Sequence, residues 1–268
     1  MPNSFADGKS TLVDVYGGDP VLQIDTIWKY LREGSDAKEP EGLKQGAILL
    51  AANQKPRLYR NFFTGVTARG IGVAYPEKVN LIWDAETMSL ANAWQNSFID
   101  ASMHWVGRGQ GRQSPRGDAV IDVDPATPFA ILSGIDSQWP SQTGRELGYR
   151  FRGYRLAADG RPQFLYECGD YRITDSPDPA ARDASGVKTV LHRTIEIDAS
   201  GVDAGQQLYW QPAAGEIEVV ESGYQIDGSY WTSVEGAECQ LLNVDGKKTL
   251  RFPIEAGRVT KIRQTLRW

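Results

Sequence analysis

Two hydrophobic periodicities divide the chain. In residues 19–33, DPVLQIDTIWKYLRE, the apolar residues Val21, Ile24, Trp28 and Leu31 recur at helical spacing, with Ile27 beside them. Asp19 suits the N-cap. Pro20 suits the first helical position, where its missing N–H costs nothing, and Gly34 suits the stop. This pattern predicts a helix over 19–33, preceded by an irregular start and followed by a polar, linker-like SDAKEPEGLKQG. A boundary near residue 43 then separates an N-terminal helical segment, 1–43, from a second region, 44–268.

From residue 47 the pattern is that of strands. Ile48-Leu49-Leu50, Tyr59 to Phe63, Gly70 to Tyr75 and Leu81 to Trp83 are short β-prone runs punctuated by Gly, Pro and Asn. Met88 to Trp94 reads as strand or helix turn. YRFRGYRL (149–156) alternates, with Tyr149, Phe151 and Gly153 on one face and Arg150, Arg152 and Tyr154 on the other. Val187, Leu191, Ile195 and Ile197 likewise share a face opposite His192, Thr194 and Glu196. Asp159-Gly160, Asp227-Gly228 and Asp245-Gly246 each sit between β-prone runs and predict hairpins. Val259 to Trp268 alternates as a closing strand, and DSPDPAARDASG (175–186) reads as a polar loop. No fixed repeat is visible, which argues against a propeller or solenoid. The expectation is a mainly β chain: a large antiparallel β-sandwich with two broad sheets, preceded by a short N-terminal helical segment.

Composition narrows the function classes. The 268 residues are 41% hydrophobic and 24% charged, as in a folded globular protein. Lys+Arg total 29 and Asp+Glu 34, a net charge of −5 that argues against nucleic-acid binding. No apolar run approaches the roughly 18–20 residues that cross a bilayer, so no membrane span is expected. The two cysteines, Cys168 and Cys239, have no metal spacing and read either as separate thiols or as one disulfide. With His104 and His192 the only histidines, a zinc enzyme is poorly supported. His192 reads as a sheet-face residue.

The most unusual segment is 98–118, FIDASMHWVGRGQGRQSPRGD. Gly107, Gly109, Gly111 and Gly117 give backbone freedom; Arg108, Arg112 and Arg116 supply planar guanidinium forks; Asp100 and Asp118 flank them, with His104 and Trp105 between. Such a set suits either an anion or sugar-acid site or an ordered loop whose arginines pair with its own acids and carbonyls. It matches neither a phosphate loop nor a dinucleotide fingerprint. Asp84, Asp100, Asp118 and Glu167 supply the carboxylates that a glycosidase-like pair would need. Arginine outnumbers lysine 19 to 10, and Lys78 is the only lysine between residues 57 and 172. With eight Trp and eleven Tyr, this stock suits interfaces and also sugar platforms, Trp94 and Trp105 among them.

The stretches LYRNFFTGVTARGIGVAYPEKVNLIWDAETMSLANAWQNSFIDASMHWVGRGQGRQSPRGD and LGYRFRGYRLAADGRPQFLYECGDYRITD resemble the β-rich region of large secreted bacterial proteins built around c-type cytochromes. Such proteins occur in planctomycete-type bacteria, and some also carry a quinoprotein sugar dehydrogenase propeller. The resemblance covers residues 45–175 well and the remainder loosely. Residues 1–34 look like the tail of a class I cytochrome c, where a Met-Pro pair supplies the axial Met and a final helix covers the haem. Met1 would stand at that ligand position, but no CxxCH occurs, so covalent haem attachment is not expected. The resemblance implies no cofactor in this chain and a periplasmic or extracellular location, which keeps a Cys168–Cys239 disulfide open.

The expected function is a non-enzymatic extracytoplasmic binding or assembly module, an extrinsic subunit of a cytochrome-linked redox complex. Its partners would be other subunits, met through Asp100, His104, Trp105, Arg108, Arg112, Arg116 and Asp118, and through Ile24, Trp28 and Leu31 on the helix. The alternative is a carbohydrate-binding or carbohydrate-active sandwich, with a glycan as ligand.

Overall fold

The computed structural model describes residues 47–105, 111–123, 126–180, 189–202, 205 and 207–268. The expected helix 19–33, with Ile24, Trp28 and Leu31, lies outside them, as do the boundary near 43, Arg108 and Val187. Nineteen strands are described: β1 (Leu49–Leu50), β2 (Arg57–Arg60), β3 (Gly70–Ala74), β4 (Val79–Asp84), β5 (Ser89–Gln95), β6 (Ile99–Asp100), β7 (Asp118–Asp122), β8 (Phe129–Ile131), β9 (Arg150–Leu156), β10 (Pro162–Cys168), β11 (Tyr171–Pro179), β12 (Val190–Asp198), β13 (Leu208–Gly215), β14 (Ile217–Val220), β15 (Gly223–Ile226), β16 (Tyr230–Glu235), β17 (Gln240–Val244), β18 (Lys247–Ile254) and β19 (Val259–Arg267). One 3-10 turn, Ser102–Trp105, is the only helical element among the described residues.

The strands form an eight-stranded sheet in the order β14-β15-β16-β19-β12-β11-β10-β9 and a five-stranded sheet, β2-β3-β4-β5-β7. A four-stranded sheet, β17-β18-β13-β8, and a ribbon, β1-β6, complete the described set. Every strand pairing in them is antiparallel. Inward residues of the eight-, five- and four-stranded sheets share one continuous core, so the fold is sandwich-like. Trp83 on β4 stacks on Phe164 of β10 at 4.4 Å and 5°, and Phe129 of β8 packs on Tyr166. A second cluster lies on the other face of the five-stranded sheet. There Ala74, Ile82, Ala91 and Trp94 meet Leu50, Ile99, Phe63 and Phe98 from the ribbon and adjoining loops. The β3–β5 segments are therefore buried on both faces, which explains their unbroken apolar runs.

Local turn chemistry holds where it was legible. Asp227 and Asp245 adopt φ of 48° and 51°, each followed by a left-handed glycine; the turn at 245–246 closes β17–β18 as a two-residue hairpin, and that at 227–229 closes β15–β16 with one residue more. Met88 to Trp94 resolves as strand β5.

Two expectations need correction. Phe151 and Tyr154 both face the core, packing on Trp83 and Phe164, although simple alternation puts them on opposite faces. The reason is a bulge: Gly153 pairs with Leu165 and Phe151 with Tyr166, so Arg152 is an extra residue and the face switches. Residues 175–179 are not loop but the end of β11, registered with β12 from Asp175↔Ile195 to Pro179↔Leu191. The prolines are tolerated because β10 pairs with β11 only as far as Asp175, leaving an edge beyond it.

Candidate functional site

Residues 98–105 and 111–118 border the outer side of the five-stranded sheet, and their charged residues divide into two groups. Asp100 is consumed internally. Its Oδ1 accepts from the Ile48 and Ser102 amides at 2.9 Å each, and its Oδ2 from Arg116 Nη1 at 3.3 Å. Partial burial works to raise its pKa, but these donors together hold the carboxyl below the usual carboxylate range. Arg112 Nη1 donates to the carbonyls of Phe63 (3.2 Å) and Val66 (2.7 Å). Gln113 bridges to Phe63 through paired backbone bonds, Gln113 N to Phe62 O and Thr64 N to Gln113 O. Asp118 accepts from Asn96 Nδ2 at 2.8 Å. These contacts tie the described parts of the loop to β5 and to residues 61–66; Asp100, Arg112 and Arg116 make the pairings of the ordered-loop alternative, whereas Asp118 meets Asn96 and not an arginine.

Two glycines among the described residues of the segment serve this tying in different ways. Gly111 occupies φ of 82°, a left-handed conformation. Gly117 is needed for close approach instead: a Cβ there would lie 1.7 Å from the Gln95 carbonyl oxygen and 2.8 Å from that of Ser97.

His104 is placed differently. It is exposed, and its Nδ1 meets the Tyr59 hydroxyl at 2.5 Å. It borders an open cleft of about 310 Å³ with Arg60, Phe62, Arg69 and Phe151. Phe62 is 49% exposed while its neighbour Phe63 is fully buried, so the Phe-Phe doublet presents one ring outward and one inward. Arg60 lies 5.5 Å above the Tyr154 ring. Arg69 pairs with Glu86 at 2.8 Å, and Arg145 approaches the same carboxylate at 3.5 Å, so two guanidinium groups share one acid. The cleft is thus a local cationic and aromatic concavity on a chain of net charge −5. Trp105 ends the 3-10 turn that carries His104.

The sequence pattern pointed to His104 but not to Arg60, Phe62 or Arg69, which come from a separate segment. Only the β1–β6 ribbon and the tied loop bring the two together. Composition alone carried a hint, in the density of arginine after residue 57.

Of the carboxylates named for a glycosidase-like pair, Asp84 and Asp118 stand far apart. Asp84 pairs across to Ser89 at one end of β5, and Asp118 faces Gln95 at the other. Six residues of strand, at about 3.3 Å each, put them roughly 20 Å apart, against about 5–10 Å for a working pair. Asp84 is buried and accepts from Thr67 N, Thr67 Oγ1 and Glu86 N. Glu167 pairs with Arg152 at 2.6 Å, on the eight-stranded sheet. Trp94 is fully buried, stacked on Phe98, and is no sugar platform.

His192 is the expected sheet-face residue, its Nδ1 2.9 Å from Thr265 Oγ1. Both cysteines are free thiols: Cys168 is buried, and burial raises its pKa well above the ordinary value. Among the described residues no group of three or more His, Cys, Asp or Glu is arranged to hold a metal, and no helix is long and apolar enough to cross a membrane. No protein-family model and no curated protein matches the chain.

Proposed function

We propose that this chain is a non-enzymatic binding module that docks an acidic, apolar-tipped face of a protein partner into the Arg60–Phe62–Arg69–His104 cleft. The observation that supports the reading is the division of labour in the site. The acids of the 98–118 segment are spent on holding the loop, whereas the cations around the cleft exceed the one carboxylate beside them. An exposed aromatic ring amid guanidinium groups is a common composition for an interface centre. The resemblance of residues 45–175 to proteins built around c-type cytochromes gives the partner its class: a haem-bearing subunit of an extracytoplasmic redox assembly. Such encounters sit at the small end of protein interfaces, below roughly 1,200 Å², and rely on complementary charge for rate and orientation.

The test is affinity capture of native partners from the envelope fraction of the source organism, comparing wild type with Arg60→Glu/Arg69→Glu. The reading expects a retained protein with covalently bound haem, identified by its reduced haem spectrum. It also expects loss of that protein in the double variant and weakening as salt is raised past about 0.15 M, where screening shortens to about 8 Å. Haem-free retained material, or retention indifferent to the charge reversal, overturns it.

A further inference from the structure

A second concavity lies on the outward face of the four-stranded sheet. Along β18 the residues Leu250 and Ile254 enter the core, while Lys247, Thr249 and Arg251 alternate to the other side. Residues 132–140 run over this face, and between them and the sheet is a cleft of about 310 Å³. Its lining includes Gln138, Trp139, Gln211, Lys247, Thr249 and Arg251.

Arg251 is the unusual member. It is 1% exposed, yet among the described residues no carboxylate lies within 4.0 Å of its guanidinium. Its Nη1 donates to the Ile135 and Ser137 carbonyls at 2.7 and 2.5 Å, and its plane lies 4.9 Å from the Trp139 ring centroid. Its Nε is buried with no partner. Burial lowers its pKa, opposed only from beyond ion-pair distance by Asp136. A buried guanidinium held by neutral groups keeps a charge that no acid in contact cancels, and an anion beside it in the cleft lowers the cost of that burial.

The surrounding groups define the anion. Thr249 Oγ1 donates to Gln211 Oε1 at 2.6 Å, which fixes the amide so that Gln211 Nε2 remains a donor. Trp139 is held by its own Nε1–H bond to Thr127 O at 2.9 Å, so an indole surface borders the cleft in a fixed place. Lys247 adds a second cation, and Asp245 supplies a carboxylate on the lining. With Asp245 and Asp136 already near, a single negative charge fits better than two. The volume is at the low end of the roughly 300–1,000 Å³ of small-ligand sites, which suits one sugar-sized molecule.

We propose that this cleft binds a small hydroxylated carboxylate of the sugar-acid class, its carboxylate on Arg251 and Lys247 and its hydroxyls on Gln211 and Gln138 beside Trp139. The site is separate from the His104 cleft and does not depend on it.

Titration calorimetry with D-glucuronate and D-gluconate, against D-glucose and acetate, tests the proposal. The sugar acids are expected to bind with Kd of about 1 mM or tighter, at least about tenfold better than either control. Lys247→Ala, an exposed position, should weaken them severalfold, and Arg251→Gln should abolish binding while circular dichroism remains native. If Arg251→Gln fails to fold, Lys247→Ala and Gln211→Ala carry the test. The Arg60→Glu/Arg69→Glu variant should bind sugar acids unchanged, which keeps a failure of this site distinct from a failure of the docking cleft. No binding by wild type, equal binding of glucose, or indifference to Lys247→Ala and Gln211→Ala overturns it.

Discussion

Asp175 and Arg193 form an ion pair inside the core, and its removal tests how the sheets are fastened. Arg193 lies in the inward series Leu191, Arg193, Ile195, Ile197 of β12, opposite Gln264 of β19 and diagonal to Asp175 of β11. Its Nη2 reaches Asp175 Oδ2 at 2.6 Å and its Nη1 reaches Gln264 Oε1 at 2.8 Å, with side chains 5% and 0% exposed in the ion pair. Trp83 Nε1, from the facing five-stranded sheet, donates to the same carboxylate at 3.3 Å. Burial works to lower the Arg193 pKa, but Asp175, through charge and hydrogen bond, together with Tyr166 and Tyr230 outweighs it and holds the guanidinium above its ordinary value. Removing one partner leaves a charge without compensation in the core, at a cost of about 3–5 kcal/mol. Replacing both with apolar residues of similar size is often near neutral. The cycle Asp175→Leu, Arg193→Met and the double variant should therefore show two costly singles and a double within about 2 kcal/mol of wild type. Urea unfolding followed by tryptophan fluorescence measures it, with unchanged m-values required for the comparison. Singles below about 1 kcal/mol, or a double equal to their sum, would refute the view of this pair as a mutually dependent buried unit.

The hydroxyl of Tyr166 is buried without a partner, so Tyr166→Phe should leave urea stability unchanged or raise it by about 1 kcal/mol; a loss above that would reveal a hidden bond. Gly117→Ala drives a methyl group into the Gln95 carbonyl and should cost several kcal/mol, about 3 or more, in thermal unfolding, whereas Gly246→Ala at an open turn position pays only for its backbone conformation. Burial pushes the Cys239 thiol and the Tyr149 hydroxyl up to about 12, and raises Cys168 and Tyr75 well above their ordinary values. In the unfolded chain these groups lose protons first. Stability should therefore hold below about pH 9 and fall as pH rises from 9 towards 12, by up to about 1.4 kcal/mol per pH unit for each group in transition. A urea midpoint that stays level over that range would contradict the assignment.

What could be read along the chain was what local chemistry decides. The Asp-Gly hairpins at 227–228 and 245–246 were legible because left-handed turn residues are specified within two positions. The face of Tyr154 was not, because the Arg152 bulge depends on pairing with β10. Residues 175–179 looked like loop because Asp, Ser and Pro are poor strand formers. The Arg193 partnership that buries Asp175 comes from a segment 18 positions away. Arg193 itself escaped notice because a charged residue in an inward series looks like an interruption of the pattern. The place of β19 between β16 and β12 is equally a matter of long-range pairing. At the site, the odd composition of 98–118 was visible, but which charges are spent and which are left over is decided only by the 61–66 loop and the ribbon.

That distinction separates the arginines of this chain by what their donors find. Arg161 has Glu77, Asp159 and Asp178 around it and the Tyr75 ring 5.5 Å away, so its charge is matched within the fold even though its buried Nη1 meets Asp178 as an ion pair without an aligned hydrogen bond. Arg112 rests on two carbonyls, as Arg251 does, but it leaves no buried donor unmet. Carbonyls satisfy hydrogen bonds without cancelling charge, so a guanidinium held only by them keeps most of its attraction for an anion. Near the surface, water screens that attraction; it screens it less where the side chain is as enclosed as that of Arg251. Of these three arginines among the described residues, Arg251 on the four-stranded sheet therefore keeps the most attraction for an anion, in a different place from the Arg60 and Arg69 proposed to meet a protein surface.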